Sequence, residues 1–496
     1  VSAYDVFIGL EIHIHLLTKS KMFCACANRF GDEPNANVCP VCLGHPGVLP
    51  AVNAEAMGFG YRVSRALGCR LSPRTLFARK NYFYPDMPKN YQISQFRDPV
   101  GLAGVLEIPL SDGSTKAVRI RDCHLEEDAG KMIHAGDLTL LDYNRAGVPL
   151  LEVVTEPDLA TGQEAEDFLR YFQRLVRYLG VCDGNMEEGS LRCDANISLN
   201  LPGAGLGSKV EIKNLNSSRF VKLAMQHEVV RQAAVLDSGG RIPQETRLWN
   251  ENRDATAPMR SKEDSHDYRY FPEPDLPPFC PDAAFLAGLE SSLVELPLAR
   301  KARLEADYGL DADQAEIIHE KRASADYFEA AVAAALAGPR PAFAERREAG
   351  RAVALMLTGD LKKELKRRDL EAGEGAMTAP RLAALVGLVA SGRISGKLAK
   401  QVLPLVFDRD ADPEAVVKAE GWETLADPAA LKPYLDELFA REAAVVAAVR
   451  SGDAKKTEYL IGRLLAATGG RADPALARRL VAERIAAAPA DAGQGA

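Results

Sequence analysis

The sequence predicts an α+β chain, with a strand-rich first domain followed by a helical domain and a small helical tail. Three observations carry that prediction. DVFIGLEIHIHLL, residues 5–17, alternates apolar and ionisable side chains with the period of a strand. The first 290 residues are irregular and rich in short strands, turns, Tyr, Asn and Pro, whereas from about Leu293 onward Ala, Leu, Arg and Glu recur with helical periodicity. Finally, FDRDADPEA, Phe407 to Ala415, breaks the helical half with a polar loop and a Pro-led helix start. The expected boundaries are 1–292, 293–407 and 408–488. Residues 489–496 fall in an Ala-, Gly- and Pro-rich extension with too little apolar surface to fold.

In the opening strand, Val6, Ile8, Leu10, Ile12 and Ile14 point one way and Glu11, His13 and His15 the other. Next come four cysteines, Cys24, Cys26, Cys39 and Cys42, spaced C-x-C-x12-C-x2-C. Four thiolates in two close pairs suit a closed, structural zinc with no open position for substrate; free thiols and an iron–sulfur cluster are the competing readings. HLEEDAG (His124 to Gly130) and LLEVVTEPD (Leu150 to Asp158) are acidic. With Glu11 and His13 they could supply the oxygen-rich sphere that magnesium prefers, or they could be solvated carboxylates. His13 reads equally as a hydrogen-bonded histidine at a core edge, and His15 is the lesser ligand candidate.

Thr161 and Glu164 form a capping box for a helix whose stripe is Phe168, Leu169, Phe172, Leu175, Val176 and Leu179, stopped by Gly180. GSLRCDANISLNL and SKVEIKNLNS read as paired strands around the Pro202 to Gly207 loop, showing Arg, Asp and Asn on one face. The Pro-rich run Tyr270 to Pro281 is expected as an extended strap. Its start echoes YFYPDMP at Tyr82 to Pro88, by duplication or by coincidence. In the tail, helices are expected at Ala429 to Val449, Lys455 to Ala467 and Pro474 to Ala488.

A formal charge of −8 argues against indiscriminate polyanion binding. The tail runs against it, with nine Arg or Lys and six Asp or Glu from Arg441 onward. Nine cysteines without a disulfide-like framework, and no leader-like or membrane-length apolar run, predict a soluble, cytoplasmic protein without a membrane segment; an organellar protein stripped of its leader reads the same. GRISGKL and GAGLGSK lack the order of a P-loop, and no G-x-S-x-G elbow or framed nucleophile–histidine pair occurs, so amidase-type hydrolysis within this chain is not expected. The first domain is instead dense in donors suited to phosphate and ribose: Lys80, Asn81, Arg192, Asn196, Lys213, Asn214 and Arg269. Turn-capping and surface pairing are the alternatives.

Longer stretches carry more specific information. VFIGLEIHIHLLTKSKMFC, HPGVLPAVN, RKNYFYPDMPKNYQISQF, DYNRAGVPLLEVVTEPD, EEGSLRCDANISL, EIKNLNS and DYRYFPEPDLPP resemble the B subunit of aspartyl/glutamyl-tRNA amidotransferases, and the tail resembles small proteins of the YqeY type. The resemblance implies a catalytic cradle domain within a heterotrimer. Such a chain would bind misacylated tRNA(Gln) or tRNA(Asn) and use ATP to activate the side-chain carboxylate as an acyl phosphate. The amidase partner, the A subunit, would deliver ammonia from glutamine, and the small C subunit would brace the assembly. A non-discriminating aminoacyl-tRNA synthetase is a further expected associate.

Carried over by position, the magnesium pattern falls on Glu11, His13, Glu126 and Glu152, with Glu126 and Glu127 not distinguished. The zinc knuckle falls on Cys24, Cys26, Cys39 and Cys42. Lys80, Arg192 and Lys213 are the expected catalytic cations, and Asn81, Asn196 and Asn214 join them as ATP contacts. Arg478, Arg479 and Arg484 are expected on tRNA phosphates. A non-catalytic RNA-binding scaffold is the competing class, against which the retained Glu11, His13, Glu126 and Glu152 count. A glutamine hydrolase acting alone would lack its nucleophile.

Overall fold

The computed structural model describes residues 4–259, 268–337 and 342–487, except 424, 426, 452, 454 and 470. The chain divides into two units, Val1–Leu298 and Ala299–Ala496.

The first unit is built on β1 (Asp5–His15), β2 (Arg70–Leu71), β3 (Phe77–Asn81), β4 (Tyr91–Gln95), β5 (Gly101–Pro109), β6 (Thr115–Glu127), β7 (Lys131–Ala135), β8 (Leu138–Asp142), β9 (Pro149–Thr155), β10 (Leu191–Asn200), β11 (Val210–Lys213), β12 (Glu245–Asn250), β13 (Ala255–Pro258) and β14 (Phe271–Pro272). Its main sheet runs β13-β12-β11-β10-β1-β9-β6-β4-β3-β14, with β5 beside β6 and β2 beside β5; β7 and β8 form a separate ribbon. Strands β11 and β12 pair in parallel, which the intervening helix, Ser218–Asp237, makes possible.

The alternation of β1 determines the two faces of the sheet. Ile8, Leu10, Ile12 and Ile14 are fully buried on the back, while Glu11, His13 and His15 stand half-buried on the front. Behind the sheet, the helix Gly162–Tyr178 contributes Phe168, Leu169, Phe172, Leu175 and Val176 to the same core, and Gly180 follows at φ +66°. Its cap differs from the expected box in one half. Thr161 Oγ1 accepts the Glu164 N–H, but the Glu164 carboxylate reaches past Thr161 to the Ala160 N–H (2.8 Å), drawn by Lys116 Nζ at 2.6 Å. The β10–β11 hairpin forms as expected, with Ala195 opposite Ile212 and Arg192, Asp194 and Asn196 on the half-buried face.

The strap is an edge strand. Phe271 pairs with Arg79 and Pro272 with Ala78, a position where proline's missing N–H costs nothing. The Arg79 guanidinium holds Glu273 through two bonds of 2.6 and 2.8 Å. Tyr82 to Pro88 instead forms the turn joining β3 to β4, so the two similar stretches occupy unlike positions. Leu296 and Leu298 pack on the first core, which moves the end of this unit past the expected residue 292.

The second unit holds two apolar cores. One gathers Leu304, Phe328, Val353, Leu382, Leu398 and Val402; the other gathers Leu431, Leu460, Leu464, Ala477 and Val481. Helix Pro413–Glu420, expected to open the tail, buries Val416 and Val417 in the first of these. The polar loop before it is folded back because Arg381 binds both Asp410 and Asp412, at 2.6 and 3.0 Å. The expected helix from Ala429 to Val449 is two helices, Pro428–Arg441 and Ala443–Arg450. The last is Pro474–Ala486; the 489–496 extension lies outside the described residues. No helix among the described residues is long and apolar enough to cross a membrane.

Candidate active site and metal centres

Strand register assembles the front of the sheet. Arg192 on β10, His13 on β1, Glu152 on β9 and His124 on β6 are direct neighbours across four adjacent strands. Each stands on the face opposite a buried apolar residue, which is why the sequence turns them outward together. His13 Nε2 lies 3.2 Å from Glu152 Oε2 and 3.9 Å from Glu126 Oε1. One atom from each of the three falls within 4.8 Å of the others. His124 bridges Glu152 (3.0 Å) to Asp122 (2.8 Å) and so fixes the carboxylate's orientation.

These charges set the protonation of the site. Burial alone would lower both imidazoles, but the carboxylates outweigh it. His13 is raised by its hydrogen bond to Glu152 and by the charges of Glu152 and Glu126, and His124 is raised to about 10 by Asp122 and Glu152. Glu152 is correspondingly held well below the usual carboxylate range, burial being overcome by hydrogen bonds from His124 and His13.

The structure separates the two glutamates the sequence left undistinguished. Glu126 faces His13, whereas Glu127 is buried, accepts the Ile93 N–H at 2.9 Å and pairs with Lys89. Glu11 stands apart from the trio, opposite Asp194 and Val154, with its carboxylate held by Asn196 Nδ2 at 2.9 Å. His15 bonds Asp128 at 2.7 Å. Asp128 also receives Arg192 (2.7 Å) and lies 3.5 Å from Arg145, cations that keep its carboxyl low against the effect of burial.

Above the trio lies a cleft of about 520 Å³ whose wall includes His13, Lys80, Glu126, Arg192, Lys213 and Asn214. Arg192 is anchored by Asp128 through one Nη, and its buried Nε has no protein partner. Lys213 is raised, burial opposing but Asp194 (2.7 Å) and Glu211 (3.0 Å) prevailing. The Lys80 ammonium sits 4.9 Å from the Tyr268 ring centroid.

The three expected amide donors are each bonded within the protein. Asn81 donates to the Tyr268 and Arg269 carbonyls and ties the strap to β3; Asn214, at φ +66°, donates to Trp249 O; Asn196 donates to Glu11. Arg269 is exposed on the strap. The sequence alone assigned no separate role to Asp122, His124, Asp128 or Asp194. The alternation Asp122, His124, Glu126 on β6 repeats that of β1 and is the signal that could have found the first two.

The four cysteine sulfurs also lie within 4.8 Å of one another. The Cys24 thiol, then the Cys39 N–H and the Lys21 ammonium, hold Cys42 down at about 4 against burial. Cys24, through its bond to Cys42, and Cys26, through burial, are pushed up in turn, and four sulfurs this close together suit a thiophilic cation. In the tail, Arg478, Arg479 and Arg484 are exposed on one helix, and each lies beside a carboxylate: Glu458 (2.8 Å), Glu483 (3.7 Å) and Asp436 (2.9 Å).

A strand-borne catalytic domain joined to a helical one is what comparison with known families returns. Residues 6–287 match the GatB/GatE catalytic domain and residues 342–485 the GatB domain. The chain is similar to the B subunit of the aspartyl/glutamyl-tRNA(Asn/Gln) amidotransferase of Solidesulfovibrio magneticus, 45% identical over 488 residues, 98% of this chain and 100% of the relative. The B subunit of the Moorella thermoacetica enzyme is 45% identical over 487 residues (97% and 100%), and that of Thermosynechococcus vestitus 44% over 494 (97% and 96%). The chain belongs to the family of B subunits of aspartyl/glutamyl-tRNA(Asn/Gln) amidotransferases, whose members are by name parts of a larger assembly.

Proposed function

We propose that this chain uses ATP to phosphorylate the side-chain carboxylate of Glu on tRNA(Gln), of Asp on tRNA(Asn), or of both, and exposes the acyl phosphate to ammonia. The observation that carries this is the convergence of His13, Glu126 and Glu152 beneath a cleft walled by Lys80, Arg192 and Lys213. The carboxylate and the γ-phosphate are both anionic, so bringing them together demands positive charge rather than a protein nucleophile.

The trio fits a small divalent cation. Around an ion with ligands at ~2.1 Å, octahedral neighbours are about 3.0 Å apart and opposites about 4.2 Å; the observed 3.2 and 3.9 Å fall near these two values. Two carboxylates and an imidazole suit magnesium or manganese with phosphate oxygens completing the sphere. Bound there, magnesium would neutralise charge between the γ-phosphate and the incoming carboxylate. His124 and Asp122 orient Glu152, Asn196 orients Glu11 at the edge of the cluster, and Arg192 brings its positive charge to the cleft wall. Lys80 and Lys213 add charge along the wall.

Since His13 is raised above its ordinary value of 6.5, it carries a proton below that point, and a cation must displace the proton to be held. Affinity for manganese should therefore climb about tenfold per pH unit between about pH 5.5 and pH 6.5, with proton release on binding. Calorimetry in two buffers of different ionisation enthalpy measures this. A pH-independent affinity would remove His13 from the ligand set.

For the thiolate cluster we read zinc in a structural role. Tetrahedral sulfurs at ~2.3 Å lie about 3.8 Å apart, within the observed grouping. Elemental analysis should find about one zinc per chain. Cys42→Ser should lose the zinc and open residues 24–42 to protease before ATP chemistry is affected. Zinc-free protein with that loop equally protected would contradict the role.

Partners follow from the chemistry. No amidase nucleophile is framed here, so an amidase partner must supply ammonia, with a small third chain and the non-discriminating synthetase as further associates. Charged tRNA, ATP and glutamine given to the isolated chain should yield no amidated product, and free ammonium should restore some. Glutamine-dependent product from the purified chain alone would refute this division.

A further inference from the structure

Phe96 lies face to face with Tyr270 of the strap, ring centroids 4.0 Å apart and planes within 4°, yet Phe96 is 52% exposed. Register accounts for its position. Ser94 on β4 is opposite Glu126, and Phe96 follows two residues on, just past the end of β4 and on the β4 side of the row His124, Glu152, His13, Arg192. Burial, and then the charges of Glu126, Tyr268 and Glu152, raise the Tyr270 hydroxyl, consistent with its standing beside those carboxylates. Tyr268 meets Tyr270 edge-on at 6.1 Å. The strap that carries both is fixed by Arg79–Glu273 and by Asn81, so the ring pair is held in place before anything binds. Arg97, next to Phe96, is exposed.

We propose that the Phe96–Tyr270 pair is the stacking platform for the unpaired 3′-terminal base of the charged tRNA. This rests on the function proposed above. Every base has a flat face, and an exposed aromatic ring suits it; Tyr268, which meets Tyr270 edge-on, lines the charged cleft and joins the ring pair to it. Direction of attack selects the tRNA end over the adenine of ATP. Phosphoryl transfer needs the entering and leaving oxygens in line, on opposite sides of the phosphorus. Arg192 and Lys213, which suit the departing diphosphate, stand on β10 and β11, at the far end of the row from Phe96, while Lys80 on β3 stands on the Phe96 side, where its charge suits the entering carboxylate. The entering carboxylate, esterified to the terminal nucleotide, therefore approaches from the Phe96 side.

The test uses the assembled enzyme with its partner chains, and with ammonium as nitrogen donor. Phe96→Leu keeps apolar bulk without a flat face and should raise the KM for charged tRNA about tenfold while the KM for ATP stays put. Phe96→Trp should restore it. As a competitor, uncharged tRNA lacking its terminal adenosine should bind wild type about tenfold more weakly than full-length tRNA, and the Phe96→Leu variant should not distinguish the two. A rise in the KM for ATP instead, or equal discrimination by both proteins, would overturn the proposal. Wild-type enzyme unable to amidate charged tRNA at all would instead overturn the function on which it rests.

Discussion

Glu152→Gln is expected to cut ATP-dependent amide formation by roughly three orders of magnitude, with glutamine hydrolysis by the assembled amidase partner still measurable. Glu152 Oε2 receives both His13 and His124, so the change removes a charge at the centre of the row and leaves two raised imidazoles facing a neutral amide. Both imidazoles then fall toward ordinary values, and the cation loses a ligand together with the group that orients His13. Glu11→Gln should cost less, because Glu11 stands outside the trio and an amide can still bond Asn196. Rates with ammonium as donor separate this from any failure of ammonia delivery. A wild-type rate in Glu152→Gln would mean that the cation site lies elsewhere.

A chain ending at Trp422 is expected to raise the KM for charged tRNA ten- to a hundredfold while its first unit keeps its fold and its metals. The cut belongs there because Val416 and Val417 are part of the preceding core; truncation at Asp412 would expose that core and confuse the result. Alanine at Arg478, Arg479 and Arg484 should act in the same direction but less strongly. Each of these arginines pairs with an exposed carboxylate, an interaction weak enough in water to be exchanged for a phosphate. The difference between full and truncated chains should shrink at high salt, as binding by filter assay at two salt concentrations would show. Unchanged affinity would leave the tail only a packing role.

What the sequence made legible is what depends on neighbours in the chain. The alternation around Glu11, His13 and His15 showed which face of β1 carries chemistry, and the C-x-C and C-x2-C pairs brought the thiolates together because their spacing is short. Registers between distant strands were not legible. Nothing near His124 says that it lies opposite Glu152, or that Glu152 lies opposite His13, since those pairings are set by how β6, β9 and β1 slide to bury their apolar backs. Glu126 and Glu127 could not be told apart without Lys89, which draws the second away from the cleft. The carbonyls that Asn81 and Asn214 bond, on the strap and at Trp249, were not legible either, being 187 and 35 residues away. Val416 and Val417 are two apolar residues in a short helix, and only packing assigns them to the earlier core.

On the proposed function the tRNA-borne carboxylate itself attacks the γ-phosphate, with positive charge in the cleft drawing the two anions together. Attack places a carboxylate oxygen between carbon and phosphorus; when ammonia adds to the carbonyl carbon, that oxygen leaves with the phosphate. Charged tRNA carrying ¹⁸O in both side-chain carboxylate oxygens should therefore release phosphate with one ¹⁸O atom for each amide formed. That transfer should be complete, and should fall in step with the rate in Glu152→Gln. Phosphate free of ¹⁸O, or label recovered in AMP, would contradict it.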